Sequence, residues 1–566
     1  MQRRTLLAAL VAAPLGAAVA ACTGSGDKAS TTQPPAAGVL DVTPTPREQI
    51  KDGGELVWPV ADIPATFNFL QLGGTPRDNS DIILALLPSL YRTDAAGTSL
   101  WNRDYLAEEP VVTPGAKQVV TYKLSELAAW NDGTPITYAD FEAQWKALNG
   151  GDEAYKVANR NGYRDIASVA RGANDREVVV TYARPYTDWQ AVFTPLYPRS
   201  TTSEPHTFNT AWVGKIPGPT AGPFMFAALD ETARTVTLKR DPRWWGDQAK
   251  LERISYKGIE ASAAADAVDN GEADFFEIAA NVNLYGRARQ MSAKVDLKRA
   301  GAPFYRHVTF NGARPHLADA RVRRALALAI NRETIAQALL GPLNFRPEVL
   351  GNRIYMPNHS RYQDNSGTTG AYRPQDASAL LEEAGWTLSG TTRTKDGMPL
   401  AVDFVISSGV AESKTETDLI KTMLADVGVR VTIRAVPAGD FFSKHITPGN
   451  FDMAVFAWGG RPYPISINES IFANPVRRSD GQLDVRQSYA RVGSDEIDTL
   501  FRSANSELDP AAAAIIANRI DGKLWQLMPN LPLYQRPDLW AVRKGLVNFG
   551  AFGYASRVYE NIGWQA

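Results

Sequence analysis

The sequence predicts an α/β protein with more than one lobe, and three observations support this fold class. Segments with strand and helix character alternate along the chain, which favours mixed sheets with some parallel pairing. The chain has 566 residues, more than one hydrophobic core usually organises. Hydrophobic residues make up 44% of it and aromatic residues 10%, as in a packed globular protein.

The predicted strands show the alternation of apolar and polar residues that a half-buried sheet requires. Within "VRVTIRAV", Val429, Val431 and Ile433 alternate with polar side chains, and "LAVDFVIS" has the same period. Further strands are predicted at 54–60, 117–125, 177–186 and 304–311.

The predicted helices carry residues that start or stop a helix. Thr137 and Asp140 have capping-box spacing, Asp319 and Asn331 are placed as N-caps, and Pro374 suits a first turn. Apolar residues at helical spacing also predict a helix within 80–91.

The N-terminus has the layout of a secretory signal. Arg3 and Arg4 precede an uncharged apolar run, and small residues lie directly before Cys22, the only cysteine in the chain. The run is shorter than the ~20 residues that a membrane-spanning helix needs. We expect residues 1–21 to be a signal peptide, exported by the general or the twin-arginine route, and residues 22–53, rich in Thr, Pro, Gly and Ser, to be a flexible tether.

The composition and the absence of several motifs argue against some classes of function. The chain has 60 Lys and Arg against 61 Asp and Glu, so it lacks the basic field of a nucleic-acid-binding protein. The five histidines show no zinc-site spacing, and no phosphate loop or nucleophile-elbow motif occurs. We therefore expect no enzyme activity, no metal and no cofactor.

Eight runs, in order over almost the whole chain after the signal, resemble the large extracytoplasmic solute-binding proteins of ABC transporters. The resemblance is to the oligopeptide and dipeptide binders (family 5), and it is greatest to actinobacterial oligopeptide-binding lipoproteins. The runs are "AAWNDGTPITYADF", "GPTAGPF", "LKRDPRWWG", "EASAAADAVDNGEADF", "FNGARPHLADARVRRALALAINRETI", "RPQDASALLEEAGW", "IKTMLADVGVRVTI" and "FDMAVFAWG". In such proteins the "VAAC" run is a lipobox, whose cysteine is acylated; the alternative for Cys22 is a small buried residue.

The resemblance implies a two-lobe, periplasmic-binding-protein-like α/β fold that closes on a ligand by a hinge. The first lobe would comprise 54–300 and 521–566, with an extra subdomain at about 92–210. The second lobe would comprise 301–520, so that the hinge segments lie near 300 and 520.

The resemblance also implies that the loop after the strand ending at Trp458 grips the ligand backbone. Gly459, Gly460, Arg461 and Tyr463 follow. Many peptide binders carry an Asp here that pairs with the ligand's amino terminus, and this chain does not. Arg461 could instead bind a carboxylate or phosphate, or be a solvated loop residue. Trp458 could equally be core, and the glycines could mark a plain turn.

A second set of candidates comes from other segments that match the family. The cleft-facing loop at 64–78 contributes four, and two weaker candidates are aromatic residues that core packing would explain equally well. These candidates are Asn68, Gln71, Gly74, Thr75, Phe224 and Tyr305.

The resemblance implies a monomeric receptor, anchored by lipid to the outer face of the cell membrane, that hands oligopeptides to an ABC permease. The alternative is an envelope lipoprotein of the same fold that binds a glycolipid or another solute in a regulatory role. The missing Asp and the presence of Arg461 keep this alternative open.

Overall fold

The structure is a computed structural model that describes residues 38–113, 117–460, 462–477, 481 and 483–566. The predicted signal peptide, Cys22 and the tether up to residue 37 lie outside the described residues, and so does Arg461.

The strands carry most of the architecture. In chain order they are β1 (Glu55–Val60), β2 (Tyr91–Thr93), β3 (Ser99–Trp101), β4 (Val111–Thr113), β5 (Val119–Lys123), β6 (Ile166–Arg171), β7 (Glu177–Tyr182), β8 (Phe224–Asp230), β9 (Thr235–Arg240), β10 (Arg253–Gly258), β11 (Phe275–Glu277), β12 (Val295–Phe310), β13 (Thr387–Ser389), β14 (Thr392–Lys395), β15 (Met398–Pro399), β16 (Ala401–Ser407), β17 (Arg430–Val436), β18 (Met453–Gly459), β19 (Val476–Arg477), β20 (Leu483–Asp484), β21 (Asn530–Arg543), β22 (Leu546–Val547) and β23 (Gly563–Trp564).

The helices cover the sheets and connect their strands. They are α1 (Arg77–Ile83), α2 (Tyr138–Leu148), α3 (Arg199–Thr202), α4 (Pro205–Thr210), α5 (Ala264–Asp269), α6 (Val282–Gln290), α7 (Ala320–Leu328), α8 (Arg332–Leu340), α9 (Pro374–Glu383), α10 (Ala411–Asp426), α11 (Ala438–Asp440), α12 (Pro464–Phe472), α13 (Asp495–Ser506) and α14 (Pro510–Leu527).

The predicted helix caps are confirmed. Asp140 accepts a hydrogen bond from the Thr137 N–H at 2.9 Å, and the Asp319 and Asn331 side chains cap α7 and α8. The helix predicted within 80–91 is wrong in extent, since α1 ends at Ile83. Pro88 has no N–H to continue a helix through that apolar run, and the chain makes tighter turns there.

The first lobe is built on a four-stranded sheet in the order β1-β10-β9-β8, in which only β1 and β10 are parallel. Leu56, Trp58 and Val60 of β1 point into its core. The Trp58 ring meets Phe549 edge-on at 5.1 Å, so residues near the C-terminus complete the same core.

A second four-stranded sheet, in the order β4-β5-β7-β6, forms the predicted extra subdomain. Helix α2 packs on this sheet through Phe141, whose ring lies 5.9 Å from Tyr122 and 4.9 Å from Phe193.

One six-stranded sheet, in the order β11-β21-β12-β18-β16-β17, passes from the first lobe into the second. Its long strands β12 and β21 pair antiparallel, and their register shifts between Gly301 and Tyr305. The first crossing therefore lies next to the predicted residue 300. The second crossing lies at Gln535–Pro537 of β21 rather than near 520, because residues 530–535 still pair with the second-lobe half of β12.

The segment from residue 38 to 53 is held against the body, so the expectation of a flexible tether is wrong for these residues. Asp41 exchanges backbone hydrogen bonds with Ala551, and its carboxylate accepts one from the Arg299 N–H at 3.0 Å. The Gly38 carbonyl accepts a hydrogen bond from the Gly301 N–H at 2.9 Å. Ile50 is buried.

Charged groups are buried inside the second lobe. Arg353 and Asp521 form an ion pair at 3.2 Å with both side chains fully buried, and the guanidinium stacks on the Trp525 ring at 4.2 Å. Burial raises the pKa of Asp521, whereas the charge of Arg353 acts in the opposite direction. The pair joins the segment at residue 353 to α14.

Replacing Asp521 with Asn should lower the free energy of unfolding by about 3–5 kcal/mol, because Arg353 would keep a buried charge with no counter-ion. Asp418→Asn is the matched control, since it breaks a pair with Lys414 in which both side chains are exposed. We expect the control to change stability by less than about 0.5 kcal/mol. Urea denaturation compares the two, and equal losses would show that the buried pair is unimportant.

Candidate ligand-binding cleft

Three parallel strands of the second lobe end at the same edge of the large sheet. β16 is parallel to both β17 and β18, and β18 ends at Gly459. In α/β sheets ligands bind in the crevice outside the carboxyl ends of such strands. Gly460, Pro462 and Tyr463, which lie between β18 and α12, are at this edge.

Aromatic rings line the end of β18. The half-buried Trp458 ring stacks on His307 at 5.9 Å and on Tyr489 at 5.6 Å, with interplanar angles of 4° and 10°. Phe442, which is 43% exposed, extends the set through Tyr489 at 5.9 Å. Trp458 is therefore part of an aromatic wall rather than an isolated core residue.

Gly459 and Gly460 bring the backbone close to the hinge. The Gly460 N–H donates to the Pro303 carbonyl, and a Cβ on Gly460 would lie 2.9 Å from that oxygen. A Cβ on Gly459 would lie 2.9 Å from the Phe304 ring. The two glycines are needed for this close approach between the loop and β12.

Tyr305 lies beneath the loop and is only 1% exposed. It pairs with Trp458 across the two strands and packs with Leu350, Met356 and Tyr554. This burial corrects its prediction as a ligand contact, and it raises the pKa of the Tyr305 hydroxyl.

Tyr463 connects the loop to the subdomain. Its hydroxyl shares a hydrogen bond of 2.6 Å with the Ser99 hydroxyl, and burial raises its pKa. The Ser360 N–H of the second lobe donates to the Ala96 carbonyl at 3.0 Å. The lobes thus also meet at a second place, away from the two crossing strands.

Two of the candidates in the loop at 64–78 have side chains that form hydrogen bonds inside the first lobe. Asn68 is fully buried and donates from Nδ2 to the Phe208 carbonyl at 2.8 Å. Gln71 donates from Nε2 to the Asn209 carbonyl at 2.7 Å and accepts from Thr66 at 2.8 Å. Because their polar groups are already paired, we reassign both residues to holding the loop in shape.

Of the other first-lobe candidates, two are buried inside the lobe and one is exposed. Gly74 is buried, and a Cβ added at this position would lie 1.9 Å from the Asn68 carbonyl oxygen, so Gly74 too is needed for the shape of the loop. Thr75 is exposed and stays a predicted ligand contact. Phe224 is completely buried in the first-lobe core, which corrects its prediction as a ligand contact. The role predicted for Arg461 also stays a prediction.

Several residues at the crevice were missed in the sequence. His307 lies two residues after Tyr305 in β12, so strand periodicity alone could have placed it on the same face. His359 is 4% exposed, and burial lowers its pKa to about 4. Burial and the nearby Arg306 lower the pKa of His307 well below its usual value, so it is neutral at pH 7. Nothing in the local sequence points to Ser99 or Tyr489.

The described residues contain no group of three or more His, Cys, Asp or Glu side chains placed to hold a metal ion. Within the same residues, no helix combines the length and apolar character that crossing a bilayer requires. What the fold defines is a two-lobed protein whose predicted solute site lies where the lobes meet.

Comparison with known proteins agrees with this class. Residues 104–473 match the family model described as bacterial extracellular solute-binding proteins, family 5. The chain is 36% identical over 520 residues to the oligopeptide-binding protein OppA of Mycobacterium tuberculosis, an alignment that covers 91% of this chain and 85% of the relative. The chain therefore belongs to the family 5 extracellular solute-binding proteins.

Other relatives differ in the solute that their names give. The probable monoacyl phosphatidylinositol tetramannoside-binding protein LpqW of M. tuberculosis is 24% identical over 416 residues, which covers 67% of this chain and 64% of the relative. The periplasmic EDTA-binding protein EppA has a TM-score of 0.83, 21% identity, and coverage of 96% of this chain and 100% of its own. Bacillus subtilis AppA in complex with a nonapeptide has a TM-score of 0.71, 21% identity, and coverage of 91% and 100%. These structures establish the two-lobe fold.

Replacing Gly460 with Ala should lower the free energy of unfolding by about 1–3 kcal/mol, because the new Cβ would press on the Pro303 carbonyl and force the loop away from β12. Gly439→Ala is the control, since a Cβ there would meet no atom within 4 Å. Urea denaturation of both variants measures the difference. A Gly460→Ala variant as stable as the wild type would mean that the loop can move without cost.

Proposed function

We infer that this protein is the substrate-binding component of an ABC importer and captures oligopeptides in the crevice between its lobes. The observation that carries this function is the 36% identity to an oligopeptide-binding protein over most of both chains. Proteins of this family bind solutes for transport, and we propose that this member, too, releases its ligand unchanged.

The crevice has the chemistry that a peptide of any sequence needs. An extended peptide carries backbone N–H and C=O groups that are costly to bury unpaired. β18 ends at Gly459 and is followed by Gly460, and neither residue has a side chain to keep a second backbone away. The aromatic wall around Trp458 can pack against varied ligand side chains.

The alternative is a non-peptide solute, such as a glycolipid, bound in a regulatory role. The segment Gly459-Gly460-Arg461 favours it, because it has no Asp to pair with a peptide amino terminus. The similarity to a probable phosphatidylinositol tetramannoside-binding protein points the same way, at lower identity.

Native mass spectrometry of protein purified from its own cells separates these functions. For a peptide receptor we expect a heterogeneous set of masses, released on denaturation and sequenced as peptides of several residues. A single glycolipid mass would replace our proposal with the alternative. Incubating the purified protein with the same peptides should return them intact, and cleaved products would show an enzyme.

We also propose that the protein is a monomer held outside the cell by lipid on Cys22 and that it meets its permease there. Curated relatives include proteins named as lipoproteins, which agrees with an extracytoplasmic location.

Replacing Cys22 with Ser should release the protein from the membrane fraction, because the thiol is the predicted acylation site and no other cysteine can take over. Detergent partitioning and fractionation of cells expressing each form would measure the shift. Ser25→Ala, three residues away, is the control and should stay with the membrane. Membrane retention of the Cys22→Ser form would argue for a different anchor.

A further inference from the structure

Helix α12 begins directly after the ligand loop, and its first turn is not capped by its own N-cap residue. Tyr463 is that residue, and its side chain makes no capping hydrogen bond. The first N–H groups of a helix have no partner within the helix. Pro464 has no N–H to satisfy, but Ile465 and Ser466 each present one.

A carboxylate from the other lobe supplies the missing cap. Asp188 belongs to the subdomain, a few residues after β7, and its Oδ2 accepts a hydrogen bond from the Ser466 N–H at 3.0 Å. Asp at a helix N-terminus is a preferred cap because it pairs an orphan donor and faces the positive end of the helix dipole.

The surroundings of Asp188 show that this contact is built into the interface. Asp188 is only 6% exposed, and the Tyr186 hydroxyl bonds the Ser466 hydroxyl at 3.0 Å. The Thr187 N–H donates to the Asn505 carbonyl of the second lobe at 2.8 Å. Burial raises the pKa of Asp188, and the nearby positive charge of Arg361 opposes that rise.

We propose that Asp188 is a positioning residue for ligand binding: by capping α12 across the interface, it fixes Pro462 and Tyr463, which directly precede the helix, only when the lobes are closed. The proposal rests on the proposed function, because it assumes that the residues before α12 bind the solute and assigns their positioning to Asp188 on the opposite lobe. When the lobes separate, the Ser466 N–H no longer bonds Asp188 and donates to water instead. The residues before α12 then lose the restraint that the cap provided.

The cap links closure to affinity. An apparent dissociation constant equals the intrinsic constant divided by the fraction of protein in the binding-competent state. A capping side chain replaced by Ala shifts an equilibrium by roughly 2- to 30-fold. We therefore expect Asp188→Ala to lower the ratio of closed to open protein by a factor in this range, and the affinity by at most the same factor.

The test uses full-length protein with Cys22→Ser, so that cysteines introduced at the exposed Glu153 and Lys421 can carry the only spin labels. Pulsed electron paramagnetic resonance then reports the closed fraction, with and without a nonapeptide of fixed sequence as the probe. Calorimetry gives the affinity for the same nonapeptide.

Four variants complete the design. Asp188→Ala removes the acceptor, and Ser466→Pro removes the donor at a first-turn position that tolerates proline. Asp188→Asn keeps an acceptor oxygen and should stay close to wild type. Asp319→Ala removes the cap of α7, which lies wholly in the second lobe, and should lower the melting temperature without changing the closed fraction.

We expect Ser466→Pro to reduce closure at least as much as Asp188→Ala, because it also removes the hydroxyl that Tyr186 bonds. The double variant should reduce closure no further than Ser466→Pro alone, because both substitutions break the contact between Asp188 and the Ser466 N–H. Additive effects, or an unchanged closed fraction in Asp188→Ala, would overturn the proposal. If the nonapeptide does not bind the wild type, the peptide function fails at that step, and the ligand-free closed fractions still decide the role of Asp188.

Discussion

The pairing of β12 with β21 is the interaction on which the two-lobe architecture depends. The two strands bond along their length from the first lobe to the second, with β11 beside them at one end and β18 at the other. Their ladder is interrupted between Gly301 and Tyr305, where the Ala302 carbonyl accepts instead from the Gln535 side chain at 2.8 Å, and its register shifts again between Arg306 and His307. Both irregularities lie within residues 301–307 of β12, and the pairing is regular on either side of them.

The pairing of β12 with β21 also positions the part of the second lobe where we expect the ligand to bind. Arg306 of β12 binds Glu416 of α10 through Nε at 2.9 Å, and Tyr534 of β21 donates to the same carboxylate at 2.7 Å. These buried groups tie both crossing strands to the helix between β16 and β17. On the opposite face of β12, Tyr305 and His307 support Trp458. Direct contacts therefore connect the hinge segment of β12 to the loop that follows β18.

Local patterns in the sequence predicted the parts of the structure that local forces decide. Period-2 alternation found β16 and β17, and the caps Asp319 and Asn331 mark helix starts because a side chain pairs an N–H two or three residues away. The helix predicted at 80–91 failed in extent where Pro88 interrupts an otherwise helical apolar spacing.

The candidate site was less predictable because most of its contacts join residues far apart in sequence. Asn68 and Gln71 have the polar groups of a binding residue, but only the fold shows that Phe208 and Asn209 already occupy them. Asp188 and Ser466 likewise become neighbours only when two lobes meet. Family resemblance located the loop after Trp458, and it could not reveal what holds that loop from the opposite side.

The attachment of the N-terminal segment to Gly301 has a mechanical consequence. Points on a rotation axis do not travel when two bodies turn about it, and Gly38 and Asp41 are bonded at the turning point between the lobes. With the lipid anchor that we propose on Cys22, the point where the anchored chain enters the folded body would stay in place while the lobes open and close. Neither binding nor release of the ligand would then have to displace the anchor.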